Sequence, residues 1–320
     1  MRILVLGGDG FLGSHLVDQV AELGHEVTVF DRFPYGISRN LEHLDDKIKL
    51  VSGEFANRDM VARALANQDI VYHFICATNP VESWHDPHVE LDENLRTSIQ
   101  LFELAEKSGV RKIVFPSSGG TVYGPQSEPV SETVTPRPFS PYGITKLATE
   151  HFLSYFRLHG GVSADVFRIG NAYGPRQPNL RSQGVIAVWM SQIIEGEAIE
   201  VYGDETTLRD YIFVKDVAFL MTHSLKNLDS SDLFNVGTGI GTNIFELLKI
   251  FQTVVDEPIH YTVRQRRNSD NASIVLDSSK ILSHFPGFRF NLLAQTLPEM
   301  WEDFKMRYSN RQSHVECTSQ

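Results

Sequence analysis

The sequence predicts an α/β protein in which a doubly wound parallel sheet is joined to a smaller, mixed α/β lobe. In the first half of the chain, short β-rich runs alternate with longer amphipathic stretches, and the short runs are almost continuously apolar. Such runs are typical of parallel strands that are buried on both faces, and their alternation with helices favours a doubly wound sheet. Ligands of these sheets bind at the carboxyl ends of the strands.

Six strands and four helices are expected in this first half. The strands are predicted at Arg2–Leu6, Glu26–Phe30, Ile48–Val51, Ile70–Ile75, Lys112–Pro116 and Ala164–Ile169. The helical patterns between them lie at Leu12–Leu23, Met60–Ala66, Asp92–Lys107 and Tyr142–Leu158.

The second half is less regular. One strand is predicted at Ile199–Tyr202, and helices are predicted at Gly184–Ile194, Lys215–Leu225, Ile244–Val254 and Asn291–Tyr308. Two glycine- and proline-rich segments, 124–141 and 174–184, exceed the usual loop length, and long loops in a compact chain are more often functional than idle. The last residues, 310–320, are expected to form a polar, frayed tail.

The composition excludes several classes of protein. The 320 residues include 40 Asp and Glu against 29 Lys and Arg, a formal net charge of −11, so the surface should repel nucleic acid and anionic lipid. With two cysteines, Cys76 and Cys317, and no His-Glu-x-x-His pattern, neither a disulfide framework nor a metal site is expected. No apolar run reaches the roughly 18 residues of a membrane span, so we expect a cytoplasmic protein.

A glycine-rich turn follows the first predicted strand and opens the first helix. Its glycines, Gly7, Gly10 and Gly13, permit a tight turn, the close approach of a pyrophosphate to the helix N-terminus, and close packing of helix on strand. Asp31 ends the second strand, where an acid accepts the ribose hydroxyls of adenosine and repels a 2′-phosphate. The sequence therefore predicts a dinucleotide site that prefers NAD to NADP, although the neighbouring Arg32 weakens the exclusion of NADP.

A tyrosine and a lysine stand four residues apart at the start of a predicted helix. This spacing places Tyr142 and Lys146 on one face of the helix. The lysine ammonium is expected to lower the pKa of the phenol, since a nearby positive charge favours the phenolate. A phenolate can take the proton from an alcohol while the alcohol carbon gives hydride to the nicotinamide.

Through these motifs the chain resembles the extended short-chain dehydrogenase/reductases. Among them it is similar to the nucleotide-sugar epimerase/dehydratase type, close to UDP-glucose 4-epimerase. The resemblance runs from residue 1 to about residue 277. It is carried by the glycine-rich turn, Asp31, Asn94, the Ser-Ser-Gly-Gly-Thr-Val-Tyr-Gly loop at 117–124, the Tyr142/Lys146 pair, the Arg-Ile-Gly-Asn-Ala-Tyr-Gly-Pro run at 168–175 and Arg-Asp-Tyr at 209–211.

The resemblance implies positions for both ligands. The implied NAD-binding residues are Gly7, Gly10, Phe11, Leu12, Gly13, Asp31, Arg32, Glu54, Phe55, Phe74, Ile75, Cys76, Asn94, Ser117, Tyr142 and Lys146. The implied substrate-binding residues are Asn171, Val185, Tyr202, Arg209, Arg267 and Asp270. Two arginines suit a diphosphate because their planar forks bind its oxygens in a bidentate manner; for Arg267, the neighbouring Arg264 and Arg266 are alternatives.

The resemblance also implies a division of the chain and a homodimer. Residues 1–170 form the NAD-binding Rossmann domain, to which parts of 205–240 return. Residues 171–310 form mainly the substrate-binding lobe, and 311–320 the tail. The helices predicted at Asp92–Lys107 and Tyr142–Leu158 correspond to those that pair across a two-fold axis in the family.

One position departs from the family. Its catalytic Ser or Thr should stand four residues before Tyr123, where this chain has Gly119. The hydroxyl of Ser118 or Thr121 could replace it, if the two glycines let the loop shift; Ser117, a water molecule or no group at all are the other options.

The same loop favours an epimerase. Family dehydratases and decarboxylases have a carboxylate just before Val-Tyr-Gly, where this chain has Gly120 and Thr121, so hydride transfer without elimination is expected. We expect an NAD-dependent UDP-sugar 4-epimerase; the alternatives are a nucleotide-sugar reductase and a catalytically impaired binding protein. Ile274 stands where a large aromatic residue narrows the pocket of enzymes for plain hexoses, which hints at a 2-N-acetyl or 6-carboxyl sugar. The choice among UDP, dTDP and GDP stays open.

Overall fold

A seven-stranded parallel sheet dominates the computed structural model, which describes residues 1–44, 46–126, 129–178, 184–265 and 273–317. In chain order the strands are β1 (Arg2–Leu6), β2 (Glu26–Asp31), β3 (Ile48–Ser52), β4 (Ile70–His73), β5 (Lys112–Ser118), β6 (Ser163–Ile169), β7 (Asn171–Tyr173), β8 (Ile199–Tyr202), β9 (Arg209–Phe213), β10 (Asp232–Val236), β11 (Gly241–Thr242) and β12 (Tyr261–Arg264). The large sheet has the order β3-β2-β1-β4-β5-β6-β10, which confirms the predicted doubly wound fold. The strand order reverses between β1 and β4, where such sheets bind their ligands.

Helices cover both faces of this sheet. They are α1 (Phe11–Glu22), α2 (Arg58–Leu65), α3 (Pro87–Val89), α4 (Arg96–Ser108), α5 (Gly119–Val122), α6 (Pro141–Gly160), α7 (Val185–Ile194), α8 (Val214–Met221), α9 (Ile244–Val254), α10 (Ser279–Leu282) and α11 (Leu293–Cys317). Short 3₁₀ turns lie at Pro34–Gly36, Glu42–Leu44, Glu82–Trp84 and Thr222–Leu225, and one π-helical turn spans Glu90–Leu95.

Two apolar layers hold the helices to the sheet. On one face, Leu16 and Val20 of α1 are fully buried with Leu220 of α8, against side chains of β1, β2 and β4. On the other face, Phe102 of α4 and Phe156 of α6 pack edge to face, with ring centroids 5.7 Å apart. Burial of each side chain of this size stabilises the folded state by roughly 1.5–3 kcal/mol. The apolar contacts on both faces therefore stabilise the same sheet.

The second lobe is built on two small sheets. The first has the order β11-β9-β7 and the second pairs β12 with β8. Helices α7, α9 and α11 pack together around Trp189, Phe251 and Trp301. After β9 the chain returns to the large sheet through β10, which pairs in parallel with β6.

The structure differs from the sequence prediction in several short elements and at the C-terminus. The strands β7, β9, β10, β11 and β12 were not predicted, because they are short or begin with polar residues. The helix predicted at Asp92–Lys107 begins as the π-helical turn. The last helix continues to Cys317 instead of giving way to a tail after residue 310, because no glycine or proline follows Pro298 within it.

Candidate active site

The glycine-rich turn connects β1 to α1 at the carboxyl edge of the large sheet. Gly7 has a φ of +75°, a value that favours glycine, and a Cβ there would lie 3.0 Å from the backbone nitrogen of Ile75. A Cβ on Gly13 would lie 2.3 Å from the carbonyl oxygen of Gly7. The N-cap residue of α1, Gly10, has no side chain that could bind the first N–H groups of the helix. These groups and the open turn fit the pyrophosphate of a dinucleotide.

Asp31 is held in place at the end of β2. One carboxylate oxygen accepts a hydrogen bond from the backbone N–H of Asp9 at 3.0 Å, and the other accepts from the N–H of Arg32 at 2.7 Å. Burial raises the pKa of Asp31, and these two hydrogen bonds oppose that shift. Asp9, which the sequence analysis did not single out, also accepts from the Ser38 hydroxyl at 2.6 Å and so fixes the loop after β2.

A cleft lies next to Asp31, at the end of β2. It is lined by Arg32, Phe33, Pro34, Ser52, Gly53, Glu54 and Met60. Two of the predicted cofactor residues, Arg32 and Glu54, therefore lie together with exposed side chains at this end. Phe55 lies further in, with its ring 5.0 Å from that of His73 between centroids.

The predicted nicotinamide side lies beyond β4. The turn after β4 carries Phe74, Ile75 and Cys76, all half-buried. Asn94, in the π-helical turn, accepts a hydrogen bond from the backbone N–H of Ala77 at 2.8 Å and donates one to the hydroxyl of Thr78 at 2.9 Å. Phe11 and Leu12, at the start of α1, are half-buried. These residues and the glycine-rich turn fit an extended dinucleotide across the edge of the sheet.

Tyr142 and Lys146 lie on one face of α6, as predicted from their spacing. The Lys146 ammonium is 5.5 Å from the centroid of the Tyr142 ring and donates a hydrogen bond to the carbonyl oxygen of Pro116 at 3.0 Å. Ser140 starts the helix by accepting from the N–H of Gly143 at 3.1 Å, so the tyrosine sits in the first turn.

The expected lowering of the Tyr142 pKa is wrong for the protein without its ligands. Burial, followed by electrostatic interactions with Cys76 and Glu90, raises the pKa of the phenol well above its ordinary value. The ammonium of Lys146 is committed to the Pro116 carbonyl and does not outweigh these effects.

The loop after β5 contains the position that departs from the family. A Cβ on Gly119 would lie 2.5 Å from Cδ1 of Leu276 and 3.2 Å from the carbonyl oxygen of Arg168. The Oγ1 of Thr121 is buried without a hydrogen-bond partner among the described residues, and Ser118 is half-buried at the N-cap of α5. The carbonyl of Thr121 packs closely against Gly143, next to Tyr142. The sequence could not reveal Leu276, which approaches the loop from a distant part of the chain.

The third hydroxyl of the loop, that of Ser117, is engaged in the protein interior. It donates a hydrogen bond to Glu150 at 2.5 Å, and Glu150 also pairs with Arg168 at 2.6 Å. Ser117 is 4% exposed, so this contact anchors the strand beneath the loop.

The predicted substrate residues that the structure describes belong to elements β7, β8, β9 and α7. Asn171 begins β7 and donates to the carbonyl oxygen of Asp210 at 3.3 Å, and a Cβ on Gly120 would lie 4.0 Å from its Oδ1. Arg209 begins β9 and pairs through its backbone with Ile274. Tyr202 ends β8, where its hydroxyl donates to Glu200, and Val185 begins α7. Arg267 and Asp270 lie outside the described residues.

Two buried acids of this region were missed by the sequence analysis. Asp210 accepts hydrogen bonds from Thr238 and from the backbone N–H of Leu276, at 2.7 and 3.0 Å, and so joins three segments behind the site. Glu90 lies in the π-helical turn, 2% exposed, and binds Thr78 and Asn94. Asp210 belongs to the Arg-Asp-Tyr motif, for which no role of the acid was predicted, and Glu90 has no signal in the sequence that separates it from a solvated acid.

Comparisons with known proteins give a consistent result. The model of the NAD dependent epimerase/dehydratase family matches residues 3–237. The UDP-glucose 4-epimerase of Mycolicibacterium smegmatis is 32% identical over 284 residues, which is 88% of this chain and 91% of that protein.

Two crystal structures are similar over almost the whole chain. UDP-glucose 4-epimerase of Thermus thermophilus, in complex with NAD, has a TM-score of 0.86 at 30% identity and covers 95% of this chain and 99% of its own. The enzyme of Thermotoga maritima, with UDP-glucose, has a TM-score of 0.85 at 32% identity and covers 96% and 100%. Among the described residues, no helix is long and apolar enough to cross a bilayer.

Proposed function

The chain belongs to the NAD-dependent epimerase/dehydratase family, and from this premise we propose that it is a UDP-sugar 4-epimerase that acts through a transient 4-keto sugar. Both the family resemblance and the cofactor NAD, which the sequence predicts, are confirmed. The observation that carries the proposal is the Tyr142/Lys146 pair, which lies on the first turns of α6 beside the cofactor edge of the sheet.

Each residue of the site has its own role in the proposed reaction. When bound, NAD would supply the hydride-transfer chemistry at C4 of the sugar, and the glycine-rich turn, Asp31 and the turn after β4 would hold it. Tyr142 takes the proton of the 4-hydroxyl and later gives it back. Lys146, fixed by the Pro116 carbonyl, provides the positive charge that favours the phenolate when the site is filled. A hydroxyl of Thr121 or Ser118 shares the substrate proton in place of the missing side chain at Gly119.

An epimerase is favoured over a dehydratase by the loop itself. Residues 117–123 include no carboxylate that could take part in the elimination of water. Proton transfer at the 4-hydroxyl needs only the tyrosine and an assisting hydroxyl, both of which the loop and α6 supply. Hydride that leaves and returns within one turnover regenerates the cofactor, so the protein needs no second substrate.

The substrate side supports a nucleoside diphosphate sugar. Arg209 brings a guanidinium to a site on an acidic chain, and this group suits a diphosphate. Asn171 stands between the catalytic loop and β9, where its amide can bind the substrate. Tyr202 offers an aromatic ring for the nucleobase. Ile274, which pairs with Arg209, leaves more room than an aromatic residue and supports a 2-N-acetyl or 6-carboxyl sugar.

A homodimer is supported by the outer face of α6. Ile144, Phe152 and Tyr155 recur at helical spacing and are between 37% and 54% exposed. Helix α6 packs beside α4, so the two helices can form a shared apolar face for a second copy of the chain. Light scattering on Tyr155→Glu, compared with the wild type, tests this: the account predicts a dimer that the variant weakens.

A binding protein that has lost catalysis is the second candidate, and Gly119 is the observation that favours it. Proton NMR of the anomeric region separates the candidates, with UDP-glucose, UDP-glucuronate, UDP-N-acetylglucosamine and a dTDP-sugar each incubated with substoichiometric NAD. A new anomeric signal that grows to an equilibrium mixture, with NAD unchanged, supports the epimerase and identifies its sugar. Conversion that stops at the amount of NAD added, with NADH formed, would indicate a net oxidoreductase that runs here in the oxidative direction, and the absence of conversion would favour the binding protein.

A further inference from the structure

The π-helical turn places a buried carboxylate on the cofactor side of the site. Glu90 begins this turn and is 2% exposed. No Lys, Arg or His nitrogen of the described residues lies within 4 Å of its carboxylate. A buried acid without a cation is costly, and π-helical turns inside helices are frequent at functional sites. Glu90 therefore requires an explanation beyond packing.

Hydrogen bonds to the Glu90 carboxylate compensate for part of this cost. They connect Glu90 to the turn after β4, either directly or through Asn94. The hydroxyl of Thr78 donates to one carboxylate oxygen, and the amide of Asn94 donates to the other at 3.2 Å. The same amide also donates to the Thr78 hydroxyl at 2.9 Å, while its oxygen accepts from the N–H of Ala77 at 2.8 Å. Three side chains thus form a closed network around one short backbone turn.

This turn is the one that faces the glycine-rich turn. The backbone nitrogen of Ile75, in this turn, lies 3.0 Å from the position that a Cβ on Gly7 would occupy. The position of the turn therefore limits the space for the cofactor beside Gly7. Without the contact between Thr78 and Glu90, Ala77 and Thr78 would keep their hydrogen bonds to Asn94, whose own orientation depends on Glu90, and the weak one from the Cys76 thiol to the Thr78 carbonyl oxygen at 3.4 Å. The carboxylate is the member of the network that accepts from both other side chains.

Glu90 also contributes charge to the site. The π-helical turn that contains Glu90 packs against α6, which carries Tyr142, and Lys146 of the same helix lies 5.5 Å from the centroid of the Tyr142 ring. The charged or titratable groups that act on Tyr142 from other segments are Cys76, in the turn after β4, and Glu90. His73, on β4, lies within the field of Lys146. The negative charge of Glu90 is one of the causes that raise the pKa of Tyr142.

We propose that Glu90 is a positioning residue with two effects: through Thr78 and Asn94 it holds the turn after β4 in the form that receives NAD, and it brings a carboxylate to the helix that carries Tyr142. The first effect requires only that the chain bind NAD, the cofactor of its family. The second rests on the proposed function, because it is observed through turnover.

Four variants separate the two effects. Glu90→Gln removes the charge and, because an amide has one acceptor oxygen, also one of the two hydrogen bonds. Thr78→Val removes the hydroxyl and leaves the charge, whereas Thr78→Ser keeps both. Glu93→Gln changes an exposed acid of the same turn and serves as the matched control.

NAD affinity, measured by titration calorimetry, tests the positioning. Glu90→Gln and Thr78→Val should each weaken NAD binding about tenfold, since each loses a hydrogen bond that involves a charged group. Thr78→Ser and Glu93→Gln should stay within twofold of the wild type. Wild-type affinity in both Glu90→Gln and Thr78→Val would overturn the positioning, whether or not the protein turns over any sugar.

The pH dependence of kcat/KM at saturating NAD tests the charge. In Glu90→Gln the acid limb should move about one pH unit lower, which raises kcat/KM about tenfold on the acid side. In Thr78→Val and Glu93→Gln it should not move. An unmoved limb in Glu90→Gln would overturn the charge effect. If the wild type converts no sugar, the proposed function fails and the charge effect with it, while the NAD affinities still decide the positioning.

Discussion

Leu276 fills the space into which a side chain at position 119 would project, since a Cβ on Gly119 would lie 2.5 Å from Leu276 Cδ1. The glycine and the leucine therefore fit each other, and the hydroxyl that the family places here could not be added without moving the leucine. The catalytic loop of this chain is built around a glycine rather than being damaged by one.

A methyl group added at this position should destabilise the protein. Gly119→Ala is expected to lower the free energy of unfolding by about 1–3 kcal/mol, the usual cost of overpacking a buried site. The matched control is Gly120→Ala, whose Cβ would have no neighbour closer than 4.0 Å. Urea unfolding measures both. Equal stabilities of the two variants would contradict the close contact with Leu276.

The assisting hydroxyl can be identified by removing each candidate. Thr121→Val and Ser118→Ala remove one hydroxyl each, and the variant that lacks the assisting group should lose about 100-fold in kcat, within the range for a proton-transfer group. Thr133→Val, which changes an exposed threonine, should keep the wild-type rate. Steady-state rates with saturating NAD decide this. Losses below threefold in both variants would mean that neither hydroxyl assists Tyr142.

Asp31 should control the choice between NAD and NADP. Both of its oxygens accept backbone hydrogen bonds, from Asp9 and Arg32, so the carboxylate is already oriented for ribose hydroxyls. Asp31→Asn should weaken NAD binding at least tenfold, by about 1.4 kcal/mol or more, and narrow the preference over NADP. Calorimetric titration with both nucleotides measures this, with the exposed Glu22→Gln as the control. An unchanged NAD/NADP ratio would exclude Asp31 from the discrimination.

Acid should destabilise the fold through buried histidines. Burial lowers the pKa of His15 and His223 to about 4 and that of His73 to about 3. The unfolded chain binds these protons near pH 6.5, so the free energy of unfolding is highest above that pH and falls as the pH decreases toward 4. Burial raises the pKa values of Asp31, Asp210 and Asp216, which opposes this trend.

A single variant isolates the histidine effect from the carboxylates. His15→Gln can still donate to the Pro175 carbonyl, which the His15 ring does at 2.9 Å, but it cannot take up the proton. Below pH 6.5, the free energy of unfolding of His15→Gln should therefore decrease less steeply than that of the wild type. The two slopes should differ by up to about 1.4 kcal/mol per pH unit. Urea midpoints between pH 7 and 4.5 measure the slope, with the exposed His85→Gln as control. Parallel slopes for wild type and His15→Gln would contradict the prediction.

Much of the large sheet could be predicted from the sequence because its strands are buried on both faces. β1 was predicted with its observed ends, since Ile3 to Leu6 are all fully buried and form one apolar run. β9 was not predicted because it begins with two charged residues, Arg209 and Asp210. Asp210 is nevertheless buried, because four hydrogen bonds satisfy its carboxylate. Such compensation depends on distant partners and leaves no local pattern.

The same reasoning explains what the site analysis found and missed. Spacing placed Tyr142 and Lys146 on one helix face, and the resemblance to the family located the departure at Gly119. The sign of the Tyr142 pKa shift could not be predicted, because it depends first on burial of the phenol and then on Cys76 and Glu90, all of which the fold brings about through other segments. Glu90 stands in a charged stretch that resembles a solvated helix face, and only the π-helical turn buries it.

The most direct test of the central claim follows the hydrogen at C4. The UDP-sugar that turns over is prepared with deuterium at C4 and incubated with the protein, NAD and an equal amount of unlabelled, ¹³C-marked substrate. We predict that the product keeps deuterium at C4, that none passes to the ¹³C-marked molecules, and that Tyr142→Phe forms no product. Loss of deuterium to solvent during conversion, or full activity of Tyr142→Phe, would contradict epimerisation by hydride transfer with Tyr142 as the base.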